Sequence, residues 1–265
     1  MQTAAAINAT APSFEPSSVC RNASCDAAMR ARGDEGCTKS SELELLAQQL
    51  SIGRRLLREG DFIYRSGQPF THLYVLNSGM AKVVNVCADG REQVVGLQFK
   101  GDWLGIEGIA RGQHGCDAVA MDTGEVWTVR YDALIEACTR CPQLLTMLHA
   151  AMSRELSRER DSMLSLSTLC ADARVADFLH RWAQALAERG LRTDQIRLRM
   201  SRAEIGNFLG MTLESVSRAM SRLARMELIR FGSEGGRRDI EIPQVAALER
   251  FVEGTLAPAP ARALQ

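Results

Sequence analysis

An α+β protein in three parts is what this sequence predicts: a small all-β sandwich or barrel, then a long helix, then a winged helix-turn-helix. Three observations carry that reading. From Gly53 to Arg130, Gly60, Gly67, Gly79, Gly90, Gly96, Gly101 and Gly105 punctuate short β-rich pieces. Many short strands separated by turns are the mark of a sandwich or barrel. From Pro142 a stripe that is apolar at every position but Glu159 runs at helical spacing. After Gly190 two short capped helices precede a basic hairpin.

Residues 1–40 are rich in Ala, Ser, Gly and Asp, have no sustained period, and read as a Cys-containing flexible or ligand-ordered segment. "SELELLAQQLS" (41–51) reads as a short amphipathic helix opening a domain that spans 41–141. Within it "LYVLNSG", "AKVVNV", "REQVVGLQF" and "GEVWTVR" read as strands, and "ADG" at 88–90 as a hairpin turn. Pro142 suits a first helical turn, where its missing N–H leaves nothing unpaired. Leu145, Leu148, Met152, Leu156, Glu159, Met163 and Leu166 then follow at steps of three and four that average 3.5, the coiled-coil spacing. Little chain remains to cover both sides of that helix. The stripe can pack on its own domain, and a two-fold pairing of helix 142–170 between copies, with those residues in the seam, is at least as well supported.

A domain over 171–253 follows, and 254–265 reads as a disordered tail. "RVADFLHRWAQALAERG" is helical and stops at Gly190, and "RLRMS" suits a strand. In "SRAEIGNFLG", Ser201 and Glu204 form a capping box and Gly210 suits a left-handed stop. Thr212 caps the next helix, "LESVSRAMSRL", whose apolar face is Leu213, Val216, Met220 and Leu223. "LIRF" and "RDIEI", joined across "GSEGGR", make the wing.

Net charge is zero, which argues against a strongly basic nucleic-acid binder. Its distribution argues otherwise. Arg197 to Arg238 holds nine Arg and four Glu, with no Lys or Asp. That local excess is an electrostatic footprint for a polyanion. In a helix-turn-helix the second helix enters the major groove with its N-terminal residues on base edges. Glu214, Ser217 and Arg218 occupy those first two turns on one face. Arg can pair bidentately with guanine, and Glu can accept from cytosine. Thr212, Arg222, Arg225, Arg237 and Arg238 suit phosphates, which position without specifying. Double-stranded DNA is the expected partner. No run approaches the ~18 apolar residues of a membrane span, so no membrane partner and a cytoplasmic protein are expected. The roll strands lack clustered His and carboxylates, so an enzyme is not expected.

The order of β-domain, long helix and winged helix-turn-helix, with "SRAEIGNFLGMTLESVSR" as its specific part, resembles the CRP/FNR superfamily of bacterial transcription regulators over residues 41–250. The resemblance implies a jelly-roll of the cyclic-nucleotide-binding type, a dimerisation helix and a homodimer. Glu-x-x-Ser-Arg at 214–218 resembles the FNR branch, as do "ADGREQVVG" and "GDWLGIEGI". That branch implies TTGAT-type palindromic half-sites, an activator, and a loop at Asp89, Gly90, Arg91 and Glu92 that faces RNA polymerase. It also implies an acidic residue, here Glu159, that holds the subunits apart until the sensor is loaded.

A cyclic-nucleotide pocket in this superfamily uses Gly-Glu-(Leu/Ile) and Arg-(Ser/Thr)-Ala. Here the segments read "GDWLG" and "HGCDA"; no Arg stands at the phosphate position and Asp117 would repel an anion, so cyclic AMP is not the expected effector. The FNR branch implies oxygen sensing by a [4Fe–4S] cluster on three N-terminal Cys and one in the roll. Cys20, Cys25 and Cys37 lie in the right region, at a looser C-x4-C-x11-C spacing. Trp127 stands at the usual fourth position, and Cys116 could substitute. Thiol oxidation is the alternative. Cys87 and Cys170 read as small core residues, and the CxxC of Cys138 and Cys141 reads as packing before Pro142. His72, His114, His149 and His180 are scattered, which excludes a cupin-type metal pattern and leaves haem ligation open.

Overall fold

The computed structural model describes residues 39–86, 90–232 and 238–256. Helix α1 (Lys39–Gln49) leads into a two-sheet jelly-roll. One sheet pairs β1 (Gly53–Leu57), β8 (Gly124–Arg130), β3 (His72–Ser78) and β6 (Trp103–Leu104) in that order. The other pairs β2 (Phe62–Tyr64), β7 (Asp117–Ala120), β4 (Ala81–Val86) and β5 (Glu92–Gln98). A short α2 (Gly108–Arg111) interrupts the run between β6 and β7. Then come α3 (Tyr131–Arg140), the long α4 (Pro142–Thr168) and α5 (Ala171–Ala187). The C-terminal part places β9 (Gln195–Arg197), α6 (Arg202–Phe208), α7 (Leu213–Arg225), β10 (Arg230–Phe231), β11 (Asp239–Glu241) and α8 (Val245–Leu256). There β10, β11 and β9 form a small antiparallel sheet beside the two-helix motif.

Three apolar cores follow from this layering. Leu57, Ile63, Leu76, Leu104, Ala118 and Val126 fill the space between the two roll sheets. A second core packs the outer face of the β1–β8–β3–β6 sheet against α1, α3 and α4 through Leu46, Leu73, Val129, Leu134 and Leu144. The third is centred on α5 through α8, and it also includes Val84, Val94, Phe99 and Met121 of the roll. The helix-turn-helix therefore packs directly on the outer face of the β4–β5 side.

The four strands read from the sequence correspond to β3, β4, β5 and β8. Four shorter ones, β1, β2, β6 and β7, were not anticipated, and neither was α3. Gly96 does not punctuate a turn. It lies inside β5 at a bulge, where Val83 pairs with Gly96 and Val84 with Val94, so Val95 is the extra residue. The seam expected along α4 is divided. Leu148, 4% exposed, belongs to the roll core of its own chain, because Leu144, Met147, Leu148 and Ala151 face α1 and the sheet. Met152 packs partly on that core. At Leu156, 58% exposed, and Met163, 72% exposed, the apolar side chains face outward, while Arg158 between them still reaches the roll.

Asp102 joins these parts. It follows Gly101, whose φ of 80° and 2.9 Å approach to Lys39, measured from where a Cβ would sit, demand glycine. The Asp102 carboxylate accepts from the Phe99 N–H at 3.0 Å. Its other oxygen meets Arg158 of α4 at 3.0 Å, Lys39 of α1 at 3.3 Å and Arg189, just beyond α5, at 2.8 Å. The side chains of Asp102 and Arg189 are each 2% exposed. Burial alone would push the Asp102 carboxyl up, but Arg158, Arg189 and Lys39 outweigh it and hold it below the ordinary carboxylate range.

Removing this carboxylate strands three cations. Asp102→Ala is expected to cost about 3–5 kcal/mol of stability at neutral pH, measured by denaturant unfolding. Because the native value lies below the unfolded one, the contribution is full above about pH 4 and is lost as pH falls through the native value. The variant's stability deficit should therefore shrink in acid; a deficit unchanged with pH would show that the carboxylate's charge is not what matters.

Candidate nucleic-acid interface

The second helix of the motif is built for exposure of one face. Thr212 is its N-cap, accepting from the Ser215 N–H at 3.2 Å and donating to the Ser215 hydroxyl at 3.1 Å. Val216, Ala219, Met220 and Leu223 are buried and anchor α7 on α5 and α6. Leu213, expected on that face, is instead exposed in the first turn. On α6 the capping box is formed as the sequence indicated: Ser201 accepts from the Glu204 N–H, and Glu204 accepts from the Ser201 N–H at 2.8 Å. Gly210 takes the left-handed conformation, with φ of 61°.

Glu214 and Arg218 are both exposed, one turn apart on the outer face, with Ser217 half-buried between them and the wing. Ser217 lies at the rim of a cavity of about 250 Å³, with Met220, Phe231 and Arg238. The Glu214 carboxyl is held below its ordinary range, first by a backbone N–H at the helix start, then by the Thr212 hydroxyl and the nearby Arg218 charge. It is an acceptor at neutral pH. Arg218 makes no salt bridge or hydrogen bond to a described residue, so the trio is not an internal ion pair.

The phosphate-facing expectations divide. Arg225 and Arg238 are exposed. Arg222 requires correction: its Nε and Nη2 both donate to the Asp172 carboxylate in the first turn of α5. Those bonds lock α7 onto α5, and they use two of the guanidinium nitrogens that a phosphate would need. Arg237 lies outside the described residues. At the tip of the β4–β5 hairpin, Gly90, Arg91 and Glu92 are exposed, while Asp89 lies outside the described residues.

The sensor-side expectations fall on different ground. Cys20, Cys25 and Cys37 lie outside the described residues, as does Cys87, and Cys170, expected in the core, is exposed in the extended link before α5. Cys116 is partly buried, and its thiol donates to Glu107 at 3.5 Å. Burial, then Glu107, with Asp117 adding to them, push that thiol up to about 12. Trp127 is buried in β8 and donates to Glu125. Among the described residues no three His, Cys, Asp or Glu are grouped to hold a metal ion. The roll interior nearby is filled with rings: Tyr64 stacks on His114 at 4.0 Å and on Tyr74 at 5.3 Å. His114 Nδ1 faces Glu107 at 3.3 Å, and its Nε2 is buried without a partner. Asp117 accepts from the Ser66 N–H at 2.7 Å.

Two groups escaped the sequence reading. Asp172 carries no local signal for its partner fifty residues away. Asn207 projects from α6 to the edge of β5 and hydrogen-bonds its backbone. The helix period marked it only as a polar residue. Among the described residues no helix is long and apolar enough to cross a membrane.

Known proteins give the arrangement a context. Residues 173–251 match the family model of the Crp-like helix-turn-helix domain, and residues 54–141 match the cyclic nucleotide-binding domain. The transcriptional activator protein Anr of Pseudomonas protegens is 37% identical over 188 residues, covering 71% of this chain and 77% of that protein. The fumarate and nitrate reduction regulatory protein of Yersinia pestis is 30% identical over 176 residues, covering 66% of this chain and 70% of that one. The solved structure of FixK2 from Bradyrhizobium japonicum superposes with a TM-score of 0.67 at 30% identity, covering 80% of this chain and all of that one.

The tight turn of the motif rests on Gly206. A Cβ there would stand 2.6 Å from the Met211 carbonyl oxygen. Gly206→Ala should therefore cost roughly 1–3 kcal/mol and weaken duplex binding. Gly254→Ala, in α8 with open space around it, should stabilise by roughly 0.5–1 kcal/mol instead. Thermal unfolding of the two variants checks this; equal effects would remove the packing explanation.

Proposed function

The chain belongs to the CRP/FNR family of transcription regulators, and from that membership we propose that it is an FNR-type activator that binds palindromic double-stranded DNA as a homodimer. The observation that carries this reading is the outer face of α7, where an ionised Glu214 and an unpaired Arg218 stand on the first two turns of a capped recognition helix. Arg218 reads guanine O6 and N7, Glu214 accepts from cytosine N4, and Ser217 contacts a neighbouring base or phosphate. The Glu-x-x-Ser-Arg pattern supports TTGAT-type half-sites. Arg225 and Arg238 hold the backbone, joined by Arg237 of the wing.

Two copies pair through Leu145, Leu156, Met163 and Leu166, whose exposure along α4 leaves a surface that water disfavours, with half-buried Met152 beside them. Glu159 is exposed within that stripe, so pairing sets two carboxylates near each other and keeps the dimer weak. The loop from Asp89 to Glu92 faces RNA polymerase.

The names of the relatives support control by oxygen or redox state. For a [4Fe–4S] cluster, Cys116 is a poor fourth ligand: a cluster needs a thiolate, and Cys116 is bonded to one carboxylate beside another. Trp127 cannot take that place. With no good fourth ligand at Cys116 or Trp127, we take Cys20, Cys25 and Cys37 to act as thiols. Cyclic AMP is disfavoured on similar grounds, since rings fill the roll and Asp117 and Glu107 flank the position of its phosphate.

Two experiments test this. Arg218→Ala should lose roughly 1–3 kcal/mol on the specific site and relax preference at one base pair, while Arg225→Ala should weaken all duplexes alike and lower the salt slope by about one. Equal losses on specific and random DNA for both variants would remove the base-reading role of Arg218. Anaerobically purified protein should be colourless and iron-free, and peroxide should weaken its DNA binding reversibly unless Cys20, Cys25 and Cys37 are all replaced by Ala. Brown protein with iron and sulfide, bleached by air, would contradict the thiol reading.

A further inference from the structure

Strand β5 lies at the end of its sheet and pairs with β4 on one side only. Its other edge is taken by one side chain of the helix-turn-helix. Asn207 Oδ1 accepts from the Val94 N–H at 2.6 Å, and Asn207 Nδ2 donates to the Glu92 carbonyl at 2.6 Å. These are the two backbone groups that a neighbouring strand would otherwise satisfy. Gln93 Nε2 returns a bond to the Asn207 carbonyl. At the other end of α6, Glu204 pairs with Lys82 of β4. Beneath them Val84 and Val94 share the apolar core of α5 through α8.

The recognition helix starts four residues beyond Leu209, the C-cap of α6, so the seat of α6 on β5 dictates where α7 points. Apart from that seat, the covalent link from α4 to the DNA-binding part is the extended pair Leu169 and Cys170. Extended backbone of this kind does not by itself hold an angle.

We propose that Asn207 is a positioning residue that sets which half-site spacing the regulator accepts. By bonding α6 to the β5 edge, it fixes the direction and reach of α7 relative to the two-fold axis. The inference rests on the dimeric reading of a palindrome proposed above. One inserted base pair moves a half-site by about 3.4 Å and turns it by roughly 35° about the duplex axis. A rigidly seated α7 cannot follow that movement. One loosened from β5 keeps its tie through Arg189 to Asp102 and Lys100 but gains play about the Leu169–Cys170 link.

The test is binding of the full chain, at fixed salt, to TTGAT palindromes of native spacing and with one base pair inserted or removed, and to a single half-site. Wild type should lose on the order of 30-fold or more on the altered spacings, and Asn207→Ala less than about 5-fold, with little change on the single half-site. Loss of stability alone would weaken every duplex together and leave the spacing penalty intact. Gln93→Ala and Lys82→Ala, which loosen the same contact from the roll side, should flatten the penalty too, and they carry the test if Asn207→Ala does not fold. A penalty as steep in the variants as in wild type overturns the inference alone. A wild type that does not distinguish a TTGAT half-site from a scrambled one overturns the palindrome reading and this inference with it.

Discussion

A single buried carboxylate, Asp102, fixes how the three parts of this regulator meet. It sits at the turn between β5 and β6 and gathers Lys39, Arg158 and Arg189 from three helical regions. None of those cations could be buried there alone. Each would shift or leave, and with it would go the entry of the chain, the seat of α4 or the end of α5. Arg189 adds a bond to the Lys100 carbonyl at 2.7 Å and lies over the Phe99 ring. The DNA-binding part is thereby fastened to the roll at both ends of β5, by Asn207 near its start and by Arg189 just past its finish. Change in the roll thus has a short mechanical path to α7.

What could be read in the sequence was what is encoded locally. Ser201, Glu204, Gly210 and Thr212 each satisfy a neighbour within a few residues, so the helix-turn-helix was legible to the residue. The long helix was legible from its period, but its partner was not. A stripe that steps by three and four looks the same whether it packs on its own roll or on a second chain, and Leu148 proved to do the former. β1, β2, β6 and β7 are short or polar on one side, and they owe their existence to pairing across the sheets rather than to propensity. Asp102, Asp172 and Asn207 were illegible for the same reason: their partners lie roughly 50–115 residues away in sequence, and nothing adjacent marks them.

The sensor shows a different gap. Counting cysteines placed Cys116 within a ligand set, because spacing reports distance along the chain and not charge. Folding puts its thiol beside Glu107 and Asp117, where a proton is held rather than released. The aromatic stack of Tyr64, Tyr74 and His114 occupies the interior that a small ligand would need.

That two paired chains read two half-sites with α7 is tested most directly by selecting bound duplexes from a random-sequence pool with the reduced protein. The predicted outcome is a two-fold palindrome of TTGAT-type half-sites at one fixed spacing. Enrichment of an unrepeated motif, or of no motif at all, would contradict it.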